Sequence, residues 1–169
     1  MITFPDPNLE GAIREAIKKP SGDIYYTDVA GLTALEATHS DIADLTNIHC
    51  VNNLTWLVLH WNQISDLSPL SGLAGLTQLG LGSNQVSDLS PLSELTNLIS
   101  LGLFENQISD LSSLSGLTNL EGLGLGRNQI CDLSPLSNLT SLTHLQLDTN
   151  QIDDIGPLSE MTDLTDLWL

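Results

Sequence analysis

Four histidines, two cysteines and a set of evenly spaced aspartates are the residues on which any chemistry would have to rest. His39, His49, His60 and His144 stand far apart, and none has a second histidine or cysteine at the short spacing of a zinc site. Cys131 follows Ile130 with no basic neighbour to activate it as a nucleophile. Gly122-Leu123-Gly124-Leu125-Gly126 has the glycines of a phosphate loop, but it alternates as a strand does and does not turn into a helix. These observations predict no catalytic residue, no enzyme activity and no required cofactor. The aspartates are different. Asp44, Asp66, Asp88, Asp110, Asp132 and Asp154 recur at intervals of 22 residues. Such a column either accepts hydrogen bonds from turn amides, which offsets the repulsion between carboxylates, or offers hard oxygen ligands to calcium. Asp148 and Asp153 add acidity near its end.

A second kind of chemistry is recognition. Trp56, His60, Trp61 and Phe104 could anchor a partner. Gly80, Gly102 and Gly124 lie 22 residues apart beside them, Gly82 and Gly126 extend that column, and Arg127 and His144 lie further along. Where these side chains meet depends on the elements that carry them.

Those elements repeat. Asn62, Asn84, Asn106, Asn128 and Asn150 are each 22 residues from the last. One unit reads Leu54-x-x-Leu57-x-Leu59-x-x-Asn62-x-Ile64-x-Asp66-Leu67-x-Pro69-Leu70-x-x-Leu73, and the next runs in the same register from Leu76 to Leu95. Units from Leu98, Leu120 and Leu142 follow, with a divergent one from Leu32 to Val51 (Ser40 in place of Asn) and a partial one from Leu164 to Leu169. A period of this length with L-x-x-L-x-L-x-x-N-x-L is the signature of a leucine-rich repeat. The predicted fold is an α/β solenoid: a right-handed superhelix with a parallel concave sheet, a convex side of short 3₁₀ turns, and an N-terminal helical cap.

Each position has a physical role in that fold. Leu57 and Leu59 alternate, so both point inward while Val58 points out. An asparagine at the bend can donate to and accept from backbone groups of its own and the neighbouring coil, so the five asparagines are expected to form a ladder. Ser68-Pro69, Ser90-Pro91 and Ser134-Pro135 read as a cap followed by a proline in the first turn of a short helix. The outward positions on the concave face are Thr55, Trp56, Val58, His60 and Trp61, then Thr77, Gln78, Gly80, Gly82 and Ser83, then Ile99, Ser100, Gly102, Phe104 and Glu105, then Glu121, Gly122, Gly124, Gly126 and Arg127, and last Thr143, His144, Gln146, Asp148 and Thr149. The glycine column is either a shallow floor over which a partner approaches the backbone or a repeated residue without consequence. Replacing Trp61 and Phe104 with alanine is expected to abolish partner binding and leave the thermal midpoint nearly unchanged.

The chain divides at the end of its first segment. Residues 1–31 form the predicted cap and lead-in, and residues 32–169 the repeats. Asp6-Pro7 starts a helix whose apolar stripe is Leu9, Ile13, Ala16 and Ile17, and Pro20 stops it. Ending in mid-repeat at Leu169, the last coil is expected to be covered by further sequence or by another copy.

The net charge is −17. Three acids and three of the four bases (Arg14, Lys18, Lys19) lie in the first twenty residues, leaving eighteen acids against Arg127 alone. Nucleic acid and anionic membranes are excluded as partners by repulsion. No apolar run reaches membrane-spanning length, and the start lacks a leader pattern. Cys50 and Cys131 fall in coils too far apart for a disulfide and are expected to be small buried fillers.

The phrase Gln63-Ile64-Ser65-Asp66-Leu67-Ser68-Pro69-Leu70-Ser71-Gly72-Leu73, echoed in Asn106-Gln107-Ile108-Ser109-Asp110-Leu111, resembles the repeats of the internalin family of bacterial proteins. The likeness runs from about Leu32 onward and includes the kind of helical cap. It implies a secreted or surface-attached bacterial protein that binds another protein through its concave sheet. A structural spacer acting by end-to-end stacking, and carbohydrate binding through Trp56, Trp61 and Phe104, are the competing expectations.

Overall fold

The computed structural model describes all 169 residues. Helix α1 spans Pro7–Ala16 and the short α2 spans Tyr26–Val29. Seven three-residue strands follow: β1 Ala34–Glu36, β2 Trp56–Val58, β3 Gln78–Gly80, β4 Ser100–Gly102, β5 Gly122–Gly124, β6 His144–Gln146 and β7 Asp166–Trp168. They pair in sequence order into one parallel sheet. The central leucines Leu35, Leu57, Leu79, Leu101, Leu123, Leu145 and Leu167 stand in a single file. After each of the first six strands the chain returns through one 3₁₀ turn, the second being Ser68–Leu70.

The repeat period dictates this stacking. In the second coil Leu54, Leu57, Leu59, Ile64, Leu67, Leu70 and Leu73 are all buried. Equivalent side chains of the following coils merge with them into one continuous core, up to Leu158 and Met161. A single coil cannot offset the chain entropy of its 22 residues by this burial, so stability arises between neighbours.

The asparagines close the bends as expected. Nδ2 of Asn106 donates to Leu81 O of the preceding coil at 3.0 Å, to Leu103 O at 3.1 Å and to Phe104 O at 3.2 Å, and Oδ1 accepts from Val86 N at 2.9 Å. Asn62, Asn84, Asn128 and Asn150 make the same set.

The aspartate column turns each coil toward its 3₁₀ segment. Asp66, Asp88, Asp110 and Asp132 each accept from the backbone N–H of the serine two residues on, at 2.8 Å. Asp44 and Asp154 do the same with Thr46 and Gly156. For Asp88 this bond, and for Asp110 and Asp132 the serine hydroxyl together with it, holds the carboxyl below the ordinary range. The serines are therefore not the caps that the Ser-Pro pairs suggested. The residue at the cap position is a leucine without a side-chain bond, and the aspartate one step earlier supplies the acceptor. No group of three or more histidine, cysteine or acidic side chains is placed to hold a metal ion.

Helix α1 covers the first coil. Asp6 is its cap: Oδ1 accepts from Asn8 N and Leu9 N, and Oδ2 accepts from Ala43 N and Asp44 N of the first coil. Burial opposes ionisation of Asp6, yet these four backbone donors together win and lower its pKa. Leu9 and Ile13 are buried, whereas Ala16 is exposed and Ala12 packs in its place. Ile2 and Ile24 form an antiparallel bridge that closes the cap. Neither cysteine is a buried filler: Cys131 is exposed, and half-buried Cys50 lies 3.6 Å from the Tyr26 hydroxyl. No helix is long and apolar enough to cross a membrane.

Candidate partner-binding face

The outward residues of the seven strands form a two-column matrix. Its first column is Ala34, Trp56, Gln78, Ser100, Gly122, His144 and Asp166; its second is Glu36, Val58, Gly80, Gly102, Gly124, Gln146 and Trp168. No lysine or arginine occurs in it. The two carboxylates, Glu36 and Asp166, sit on the outermost strands.

The glycines in and beside this matrix divide into two kinds. The His60 ring lies over Gly80, where an added Cβ would stand 2.6 Å from Nε2. The Phe104 ring lies over Gly82 and would collide with any side chain there. Asp148 blocks Gly126 in the same way, 2.5 Å from an added Cβ. At these three glycines any side chain would have to displace the group that covers it. Gly80 and Gly82 are thus buried under rings and form no open floor, which corrects the expectation for both. At the other three an added Cβ would press on the His60 ring at Gly102, 3.3 Å away, and make only ordinary contact at Gly122 (3.7 Å) and Gly124 (3.5 Å). Packing does not demand glycine at Gly122 or Gly124, and the three positions without side chains leave a floor.

Around that floor lies a concave pocket of about 530 Å³. His60 and Phe104 form its wall toward the N-terminus. His144, Gln146, Asp166 and Trp168 form the opposite wall, with Ser100 and the three glycines at the base. Nε2 of His144 is 3.0 Å from Oδ2 of Asp166, and Nδ1 is 2.8 Å from the Thr143 hydroxyl. Thr165 Oγ1 also donates to Asp166 Oδ2, so Oδ1 has no donor within the protein. Burial holds His60 below its ordinary pKa of 6.5, against the pull of the Glu36 carboxylate. Its Nδ1 accepts from Gly82 N at 2.8 Å, which fixes the neutral ring with the proton on Nε2.

Trp61 and Arg127 lie beside the face, not on it. They belong to a column of non-glycine residues in the left-handed conformation, His39, Trp61, Ser83, Glu105, Arg127 and Thr149, with φ between 52° and 57°. The asparagine bend forces this conformation just after each strand. Its cost is offset by inter-coil bonds such as Trp61 N to Gly82 O and Arg127 N to Asp148 O. Neighbours in the column also pair through side chains. Trp61 stacks on His39 with centroids 4.6 Å apart and meets Phe104 edge-on at 5.8 Å. Glu105 accepts from the Ser83 hydroxyl and from Arg127, both at 2.6 Å. The Ser83 bond is the main cause of its lowered pKa.

Of the predicted anchors, His60, Gly102, Phe104, Gly124 and His144 come together in the pocket. Trp56 is half-buried in β2 and outside it, as are Trp61 and Arg127. Asp166 and Trp168 were missed because the last unit is partial. The alternation around Leu167 was the signal that could have found them.

This geometry defines a leucine-rich-repeat protein. A family model described as Leucine Rich repeats (2 copies) matches residues 52–94 and 96–138. An internalin C2 structure from Listeria monocytogenes is 37% identical, with a TM-score of 0.77, and the match covers 96% of this chain and 83% of that one. An internalin (inlF) structure from the same species is 35% identical with a TM-score of 0.80; 97% of this chain matches, but the chain spans only 56% of that structure's length. A leucine-rich-repeat protein of Leptospira interrogans, 23% identical over 88% of this chain and 41% of that one, shares the fold with a TM-score of 0.75. No curated protein matches in sequence. The chain belongs to the leucine-rich-repeat family and, within it, is internalin-like.

Proposed function

We propose that this chain is a protein-binding module of a secreted or surface-attached bacterial protein, and that it binds through the concave sheet. The observation that carries this reading is the pocket itself. Gly102, Gly122 and Gly124, the last two not required by packing, leave bare backbone between a wall of His60 and Phe104 and a wall of His144, Gln146, Asp166 and Trp168. Solenoids of this kind present extended concave surfaces to their partners. The kinship with internalins supports a protein partner. Calcium along the aspartate column is not part of this reading, because those carboxylates already serve turn amides.

The test is capture from bacterial and host lysates on immobilised protein. Wild type, Gly122→Val on the floor, Trp61→Ala beside the face and the convex-side control Ser93→Ala are compared. A partner retained by wild type and Ser93→Ala but lost by Gly122→Val supports the reading. Equal retention by all four overturns it. A second reading, assembly of copies end to end, draws on Ile155, Leu167 and Leu169, which stay exposed near Leu147 and Ile152. Light scattering that shows one molecular mass across a wide concentration range would remove it.

A further inference from the structure

The geometry points to the pocket over Gly102, Gly122 and Gly124 as a subsite for one cationic side chain, a guanidinium above all, presented by the protein partner. This rests on the concave-face reading and names the chemistry of its ligand. Four observations carry it.

First, the floor is open by choice of residue. A Cβ at Gly122 would meet only Ser100 Oγ, at 3.7 Å, so the fold tolerates a side chain and the sequence nevertheless leaves none. Second, the rim joins the groups that a guanidinium uses. It is a planar cation that stacks on aromatic faces and donates in a fixed fork to carboxylate oxygens. Trp168 is 60% exposed at the pocket edge. Asp166 keeps Oδ1 free of protein donors. The Gln146 carboxamide oxygen lies 3.5 Å from where a Gly124 Cβ would be, available as a neutral acceptor. Third, no lysine or arginine competes, and the resident His144 engages only Oδ2 of Asp166. The strand matrix holds neither residue type, and Arg127, the only lysine or arginine beyond residue 20, is bound to Glu105 outside the pocket. Fourth, the surroundings attract a cation from a distance. All of the net charge of −17 falls beyond residue 20, and a concave low-dielectric wall focuses such a field.

The ligand chemistry also settles which competitor fails. An acidic or phosphorylated segment would meet the Asp166 carboxylate and the net charge of −17, with no lysine or arginine in the pocket to pair it. A neutral sugar would use Trp168 but gain nothing from the charge.

The experiment uses the intact chain, uniformly ¹⁵N-labelled, titrated with N-acetyl-Gly-Arg-Gly-amide and with its citrulline counterpart, a neutral near-isostere. The arginine peptide is expected to shift the amide resonances of Gly102, Gly122 and Gly124 and the Trp168 indole N–H along one saturating curve. The citrulline peptide should bind at least tenfold more weakly. Asp166→Asn should weaken the arginine peptide at least fivefold, and Gly122→Val should abolish the shifts with the thermal midpoint held. Asp88→Asn, on the convex turn, should change neither. Equal binding of both peptides, shifts spread over the aspartate column instead of the floor, or the same floor shifts from a neutral oligosaccharide would overturn the assignment. Should a captured protein partner depend on Gly122 while the peptide titration fails, the concave-face reading stands and the cation subsite falls.

Discussion

The Gly82 amide donates to Nδ1 of His60 at 2.8 Å, while the same ring fills the space in which a Gly80 side chain would begin. One histidine from the second coil is thereby locked to the backbone of the third. Protonating Nδ1 sacrifices that bond, and burial has already lowered the His60 pKa from 6.5. The sign follows by linkage. The stability contributed by His60 is fully present above about 6.5 and is lost as pH falls through the folded-state value. Urea unfolding of wild type and His60→Gln should show a stability gap at pH 7.5 that narrows at pH 5.0. A gap that widens on acidification would contradict the assignment of a neutral ring.

The Phe104 ring occupies the volume above Gly82, so the two positions are coupled. Gly82→Ala should destabilise by about 1–3 kcal/mol through overpacking. Phe104→Ala should cost about 1–3 kcal/mol for a half-buried ring, contrary to the expectation that its removal leaves the thermal midpoint nearly unchanged. In the double variant the alanine at 82 has room, and the combined loss should fall short of the sum by about 1 kcal/mol or more. Strict additivity in denaturant melts would show that the ring does not rest on Gly82.

Removing the Asn106 amide strands Leu81 O, Leu103 O and Val86 N at the bend between two coils. Asn106→Ala should therefore cost about 2–4 kcal/mol, read from urea midpoints. Asn106→Asp keeps the acceptor but loses every donated bond and should recover little of it.

How much of this was visible in the sequence follows from periodicity. The 22-residue spacing of Leu57, Asn62 and Asp66 defines strand, bend and turn in every coil, because each position repeats the same local demand. The pocket was only partly legible. His60, Gly102, Phe104, Gly124 and His144 were identified from alternation, but whether a ring lies over a glycine depends on a rotamer that reaches across coils. Phe104 covers Gly82, in the preceding coil, and His60 covers Gly80, in the following one; nothing in the spacing states this. Trp61 and Arg127 were placed on the sheet because alternation was carried one residue too far, past the point where the chain enters the left-handed region.

Asp6 joins α1 to the first coil through four backbone donors. Asp6→Ala should lower stability by about 1–3 kcal/mol, with amide exchange quickening in α1 and β1 before β5. The Asp6 pKa is lowered, so its contribution persists at neutral pH and is lost only as pH falls below the ordinary carboxylate value of 3.8. The wild-type and Asp6→Ala melting temperatures should accordingly converge in strong acid and differ at pH 7.

The aspartates of the turns are expected to ignore divalent cations. Each already accepts a backbone N–H, and none joins two further metal-ligating side chains. Millimolar calcium should leave the melting temperature within about 1 °C of its value in chelator, given that binding at a hundredfold excess over Kd would add about 2.7 kcal/mol. A rise of several degrees would reopen the column as a cation site.

Every strand pairs only with the strands immediately before and after it in the chain. A pulling force applied to the two ends therefore has no distant clasp to break first. Coils should peel away one after another, and each release should lengthen the tether by roughly 70–80 Å, the contour of 22 extended residues. Such a sawtooth would dissipate the pull in small instalments while the remaining coils stay folded.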